Sequence, residues 1–160
     1  MTAGDGIEPV ERGYLGVLRV QRALAAVPLV VGAFVLWLVL FERHPLAVVV
    51  PVVAMLLAVV MVGVLPGRSW RRLGFALEPR LLRVVRGYLF HTDTIVPLAR
   101  VQHLDVARGP LDRLFGTATL VVHTAGTHNS VVTLPGLSPE RAGELAGVIR
   151  GHIQADPDAS

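Results

Sequence analysis

The sequence predicts a two-helix transmembrane hairpin followed by a mainly β domain that ends in a C-terminal capping helix. Two long apolar runs without a charged residue, at residues 23–41 and 46–65, predict the hairpin. Beyond them, short alternating segments separated by turn residues predict strands, and one amphipathic pattern predicts the final helix. Only 17% of the 160 residues are charged, below the roughly 25% of a typical soluble domain.

The first 22 residues are polar and contain Gly4, Gly6 and Pro9. This composition predicts a cytoplasmic tail without regular structure over residues 1–22. Residues 154–160 have the same polar character and are expected to form a flexible C-terminal tail.

The two apolar runs are long enough to cross a membrane. They contain 19 and 20 residues, which as helices span roughly 28–30 Å, the thickness of the hydrocarbon core of a bilayer. Two buried core helices are the alternative, but the remaining chain is too short to wrap two helices that are apolar all round. A cleaved signal peptide is also disfavoured, because the first run starts late and a second span follows at once.

The distribution of arginines predicts the orientation of the hairpin. Three arginines precede the first run and three follow the second, whereas the short connecting loop carries one. They are Arg12, Arg19 and Arg22, then Arg68, Arg71 and Arg72, and in the loop Arg43. By the positive-inside rule, the protein is expected to be a multi-pass protein of the cell (plasma) membrane with both termini in the cytoplasm.

A mainly β domain is predicted over residues 69–153. Strand patterns separated by turns lie at residues 73–77, 81–86, 88–96, 101–107, 117–124 and 130–134. Alternation is clearest in residues 117–124, where Ala118, Leu120 and Val122 are expected to face inward. In residues 101–107, Leu104 and Val106 are expected to share a face.

The last predicted element is a helix that packs on the sheets. Ser138 suits the N-cap, Pro139 the first turn and Glu140 the positive end of the helix dipole. An apolar stripe follows at helical spacing, formed by Ala142, Leu145, Ala146, Ile149 and Ile153. The domain is therefore expected to be a small bent sheet or open barrel with this helix across one end.

Three stretches of the domain carry a family resemblance: VPLARVQHLDV at 96–106, RGPLDRLFGTATL at 108–120 and TAG at 124–126. In combination they resemble the bacterial pleckstrin-homology-like (PH-like) domain of YdbS-like membrane proteins, over about residues 20–153. Members of that family typically have two spans ahead of one such domain. The resemblance implies seven strands in two packed, nearly orthogonal sheets, capped by a C-terminal helix, and it implies no catalytic residues.

The motif that carries this resemblance has a structural interpretation and an alternative one. As a structural motif it comprises Gln102, Gly109, Pro110, Leu114, Phe115, Gly116, Thr124 and Gly126. Leu111, Leu114 and Phe115 recur at one-turn spacing and are expected to plug one end of the barrel. The alternative is an anion site or partner contact formed by Arg100, Arg108 and Arg113. Arg80, Arg83 and Arg86 of the first hairpin are further candidates for such a contact, although Glu78 makes this hairpin a poor cage for a polyphosphate.

Composition and motifs favour a non-catalytic role. The chain has no cysteine, P-loop, G-x-G-x-x-G or G-x-S-x-G sequence, and its histidines lack the spacing of a metal motif. No catalytic, cofactor-binding or metal-ligating residue is therefore predicted. From Leu73 onward there are eight arginines and eight acidic residues, which disfavours nucleic acid as a partner.

The expected function is that of a PH-like binding module held at the inner leaflet, with an interaction or scaffold role. A component of a membrane efflux or stress-resistance system, or a sensor of lipid headgroups, is the alternative. The expected partners are the bilayer, through the two spans, and a membrane protein or a second copy of the chain. An anionic lipid headgroup is a further possible ligand.

Overall fold

The computed structural model describes residues 7–40, 44–87, 91–125 and 131–155. The chain divides into two compact units. One unit is Leu15–Arg68 and contains most of the apolar sequence. The other unit, here called the domain, joins the segment that ends at Tyr14 to the segment that begins at Ser69.

Among the described residues, two helical segments are long and apolar enough to cross a membrane. The first is helix α1 (Gly13–Leu40), with a mean hydropathy of 2.6. The second, Leu46–Arg71, has a mean hydropathy of 3.0 and contains helices α2 (Val49–Gly63) and α3 (Leu65–Arg71). Only 6% and 11% of their most apolar windows are buried within the protein. The predicted hairpin of two apolar helices is confirmed.

The helices extend beyond the two charge-free runs. Helix α1 begins at Gly13 and not near residue 23, and the second helical segment continues to Arg71. Arginine is a good helix former, so Arg19 and Arg22 limit where a span enters hydrocarbon without limiting where the helix starts.

In the described parts of the chain, seven strands form two antiparallel sheets, as the family resemblance implied. The first sheet has the order β1-β2-β3-β4, with strands β1 (Glu8–Pro9), β2 (Gly74–Glu78), β3 (Leu81–Gly87) and β4 (His91–Pro97). The second sheet has the order β5-β6-β7, with strands β5 (Val101–Ala107), β6 (Ala118–Thr124) and β7 (Val131–Leu137).

One of the seven strands comes from the segment before the apolar helices. Glu8 pairs with Phe75 and Pro9 with Gly74, so β1 extends the edge of the first sheet beside β2. An unstructured tail was expected over residues 1–22, but among the described residues from Ile7 onward the chain forms β1 and the start of α1, so that expectation is wrong there. The apolar hairpin is thus inserted into the domain between its first and second strands.

The core lies between the two sheets and the final helix. Its fully buried members include Leu82 and Val84 of β3, Leu120 of β6 and Leu134 of β7. In β6 the predicted alternation is confirmed: Ala118, Leu120 and Val122 are all 0% exposed.

Helix α5 (Pro139–Ala155) closes the core as predicted. The Ser138 hydroxyl accepts a hydrogen bond of 3.1 Å from the backbone N–H of Arg141, the expected N-cap. Most of the predicted apolar stripe is buried, namely Ala142, Leu145, Ala146 and Ile149, and Ile153 packs against it. The helix runs to Ala155 and takes in the start of the expected C-terminal tail, whose last five residues lie outside the described chain.

Strand β5 has the predicted faces but is less buried than β6. Val101 is buried and Leu104 partly buried, but Val106 is 43% exposed. The pairing with β6 shifts register between Val101 and His103, but Leu104 pairs with Val122 and Val106 with Leu120 in regular register, so Leu104 and Val106 share a face, as predicted. As an edge strand, β5 also has a neighbour on one side only.

Candidate functional site

The three arginines of the first hairpin lie in different environments. Arg80 is exposed in the turn between β2 and β3. Arg83 forms a bidentate ion pair with Asp93 of β4, in which Nε donates to Oδ2 at 2.8 Å. Nη2 of Arg86 donates to the Thr133 hydroxyl at 2.9 Å. Burial lowers the pKa of the Arg86 guanidinium. The three side chains therefore do not converge on one ligand.

The second set of candidate arginines is split between the two ends of β5. Arg100 precedes the strand, whereas Arg108 and Arg113 follow it, and seven residues of strand span roughly 23 Å. All three side chains are exposed. The backbone N–H of Leu98 donates to the carbonyl of Arg80 at 3.0 Å, which places Arg100 near Arg80. The region around Arg80 and Arg100 lies at the opposite end of β5 from Arg108 and Arg113. We call this region the distal end of the domain.

The motif between β5 and β6 folds as a single-turn helix, α4 (Pro110–Phe115), held by one aspartate. Oδ2 of Asp112 accepts from the Gly109 N–H at 3.0 Å, and Oδ1 accepts from the buried Thr117 hydroxyl at 2.8 Å. Gly116 ends the helix with φ +68°, a conformation that favours glycine. Sequence reasoning missed Asp112 and Thr117, although an acidic residue three positions after Gly109 is a helix-start signal.

The predicted plug at the barrel end is wrong for Leu114. This side chain is 73% exposed, and helix α4 contains no buried residue. Phe115 is only half-buried, and its carbonyl oxygen lies against Gly13, 2.3 Å from where a Cβ would stand. A helix of one turn rests on the domain by one face only, so residues at one-turn spacing need not all point inward.

The remaining motif residues lie at the other end of β5. Gln102 is exposed, and Thr124 is half-buried where β6 ends. The N–H of Ala125 donates to the carbonyl of Arg100 at 2.8 Å, which ties the end of β6 to the start of β5. Gly126 lies outside the described residues.

The segment before the hairpin, Ile7–Tyr14, is bound along the domain, and we call it the N-terminal strap. Besides the β1 pairing, the N–H of Glu11 donates to the carbonyl of Gly136 at 2.7 Å. The indole N–H of Trp70, in helix α3, donates to the carbonyl of Glu11 at 3.0 Å. The side chain of Tyr14 covers Gly136, whose φ is +80°. Both ends of the hairpin therefore lead into one hydrogen-bonded region of the domain.

An ion-pair network joins the strap to helix α5. Nη2 of Arg141 lies 2.6 Å from the carboxylate of Glu8, and Nη1 lies 3.2 Å from Glu144. The hydrogen bonds to Glu8 and then to Glu144 raise the pKa of Arg141. Beside this network is a cavity of about 270 Å³ whose lining includes Glu8, Glu11, Glu140 and Glu144. Arg141 also lines this cavity and pairs there with Glu8 and Glu144.

Two histidines and an aspartate meet on the outer face of the second sheet. His103 and His123 are paired across β5 and β6. Their Nε2 atoms lie 3.7 Å and 3.3 Å from the carboxylate of Asp105, and each can pair with it when protonated. Across the described parts of the chain, no three His, Cys, Asp or Glu side chains are arranged to hold a metal ion.

Comparison with known proteins matches nearly the whole chain to one family. The family model described as Bacterial PH domain matches residues 16–153. The UPF0699 transmembrane protein YdbS of Bacillus subtilis (strain 168) is 33% identical over 78 residues, which are 49% of this chain and 45% of that protein. The match thus spans less than half the length of this relative. No solved structure matches significantly.

Proposed function

Because this chain belongs to the bacterial PH domain family, we propose that it is an integral membrane protein that presents its PH-like domain to the cytoplasm as a non-catalytic interaction module. PH domains bind lipids or proteins, and PH-like domains are generally non-enzymatic. The interaction role for this chain is our inference from that membership and from the exposed distal end.

The observation that carries the proposal is the insertion of the apolar hairpin between β1 and β2. The domain reaches to Tyr14 and resumes at Ser69, and the apolar unit lies between these two segments in the chain. A domain attached at two points cannot diffuse far from the membrane, so its partners must come to the membrane surface. A membrane protein, or a second copy of this chain, satisfies that condition.

The arginine distribution supports the cytoplasmic side. Three arginines lie on the domain side of each span, and the connecting loop carries only Arg43. We expect a C-terminal reporter that works only in the cytoplasm to be active, and one that works only outside to be silent. Moving Arg68, Arg71 and Arg72 into the loop should weaken or invert insertion. The opposite reporter pattern in the unaltered chain would reject cytoplasmic presentation.

The interaction role is tested by cross-linking from the distal end. The chain has no cysteine, so a single cysteine replacing Arg80 or Arg100 accepts one photo-cross-linker. We expect both positions, in native membranes, to yield an adduct with the same protein, which mass spectrometry identifies. Arg150→Cys, at an exposed arginine of α5, is the matched control and should not yield it.

Two results of this cross-linking would count against an interaction role at the distal end. One is the absence of an adduct at both positions. The other is equal labelling of the same protein from Arg150→Cys, because that pattern reports proximity in the membrane and not a defined contact.

A further inference from the structure

Strand β5 forms an open edge of the second sheet. Within the described residues, it pairs with β6 on one side and has no strand on the other. All of its side chains are exposed except those of Val101 and Leu104. The free edge of a strand presents backbone N–H and C=O groups to any second strand that lies alongside it. This edge is therefore a candidate interaction surface of the domain.

The edge of β5 lacks the features that usually prevent strand addition. Protected edges are very short or carry proline, lysine or arginine. At the opposite edge of the same sheet, β7 includes Pro135, and the strap donates a hydrogen bond to the carbonyl of Gly136. Strand β5 contains neither proline nor a basic side chain other than His103. Its one irregularity lies at its start, and its pairing with β6 is regular from His103 onward.

The sequence of β5 is complementary to itself when two copies run antiparallel. With Leu104 opposite the same residue of a second copy, each residue of the strand has a partner. In this register His103 of each copy lies opposite Asp105 of the other. An imidazole N–H donates to a carboxylate whether or not the ring is protonated, and such unlike pairs stabilise neighbouring strands.

The neighbouring registers lose this complementarity. Directly opposite side chains lie on the same face of a sheet, so the register moves in steps of two residues between the paired positions. One step places His103 opposite the same histidine, and a step the other way places Asp105 opposite the same aspartate. Like groups directly opposite each other are destabilising. The pattern therefore favours one register and a second copy of this strand as the occupant.

The core-side face of the same pair covers apolar side chains. Leu104 is half-buried and Val106 is 43% exposed. Leu104 would meet its own copy, and Val106 would lie beside Gln102. Arg100 and Arg108 would approach each other just outside the strand, and this like-charge contact opposes association. Both arginines are exposed, so water and salt screen their repulsion.

We propose that β5 is the interface through which two copies of this chain associate, antiparallel and with Leu104 opposite Leu104. The two second sheets then form one continuous sheet with three strands from each copy. The proposal rests on the proposed interaction role and deepens it, because it names a second copy of the chain as the partner and β5 as the surface. It does not depend on which side of the membrane carries the domain.

Disulfide formation between full chains in native membranes tests the register. The chain has no cysteine, so Leu104→Cys places the only two thiols opposite each other, within reach of a disulfide. Val131→Cys is the matched control, since Val131 is 47% exposed on β7, at the other edge of the sheet. We expect mild oxidation to link copies at least about fivefold more through position 104 than through 131.

Two further variants make the register specific. Copies with His103→Cys and copies with Asp105→Cys should link to each other when they are produced together. Each variant alone should link much less, because the same residue of two copies is then a diagonal neighbour at about 7–8 Å, too far for a disulfide.

A charge exchange tests the chemistry of the contact without a cysteine in β5. Fluorescence energy transfer between labels at Val131→Cys reports the association of full chains in vesicles. His103→Asp places carboxylates opposite each other and should lower the transfer at least about threefold. His103→Asp combined with Asp105→His restores unlike pairs and should recover most of the transfer.

Equal linking through positions 104 and 131 would overturn the proposal, because it reports random collision of copies. So would transfer that His103→Asp leaves unchanged, or a loss that the combined exchange does not recover. These experiments detect only contacts between copies of this chain. The adduct at the distal end and the reporter pattern are read separately, so failure here leaves the proposed function standing, and its failure is recognised without these variants.

Discussion

Gly136→Ala is expected to lower the free energy of unfolding of the domain by about 3 kcal/mol. Its φ of +80° costs an L-residue about 1–2 kcal/mol. A Cβ at this position would also stand 2.8 Å from Cγ of Tyr14, and such overpacking costs about 1–3 kcal/mol more. In the full chain in nanodiscs, the slowest-exchanging amides of β6 and β7 should exchange about 10²-fold faster.

Two other glycines separate the contributions to this effect. Gly116 also has a positive φ, of +68°, but open space around it, so Gly116→Ala should show only the conformational cost of about 1–2 kcal/mol. Gly143 is helical with open space, and Gly143→Ala should stabilise by about 0.5–1 kcal/mol. If Gly136→Ala costs no more than Gly116→Ala, the packing of Tyr14 on β7 is refuted.

Leu120→Asp is expected to unfold the domain, whereas Leu114→Asp leaves it folded. Leu120 is 0% exposed in the central strand of the second sheet, and burying a carboxylate there costs about 4 kcal/mol or more. Leu114 is 73% exposed, and a substitution at such a position changes stability by about 0.5 kcal/mol or less. Amide exchange of the full chain in nanodiscs measures the stability of the domain in both variants.

If Leu120→Asp does not accumulate in cells, alanine variants at the same two positions test the same difference in stability. Leu120→Ala should cost about 2–5 kcal/mol, and Leu114→Ala about 0.5 kcal/mol or less. Loss of exchange protection in Leu114→Asp would place α4 in the core, as the one-turn spacing of its apolar residues suggested.

Much of the fold could be predicted from periodicity alone. The two charge-free runs predicted the apolar hairpin, the alternation of Ala118, Leu120 and Val122 predicted the inner face of β6, and Ser138 predicted the start of α5. Each of these signals is local, because it depends on residues within one or two turns or strand repeats. Tertiary packing then agreed with the local preference.

The candidate arginines show where residue type stops being informative. Six arginines were grouped by their positions along the chain. In the structure, Arg83 forms an ion pair with Asp93, and Arg86 donates a hydrogen bond to the Thr133 hydroxyl. Arg100 is separated from Arg108 by the full length of β5. Whether a guanidinium is free, paired or half-buried depends on neighbours from other strands, and no spacing in the sequence records those neighbours.

The sequence by itself determined that the chain has two helices suited to a membrane, a β domain after them and a helix across that domain. These features follow from the transfer of apolar side chains out of water, which acts through local patterns. Only the tertiary structure decided that the strap from Ile7 to Tyr14 belongs to the domain and that Leu114 points outward. A two-residue strand such as Glu8–Pro9 has no periodicity of its own, and its place depends on the edge of β2 and on Arg141. The rest of the strap depends on Gly136, which bonds Glu11 and packs against Tyr14.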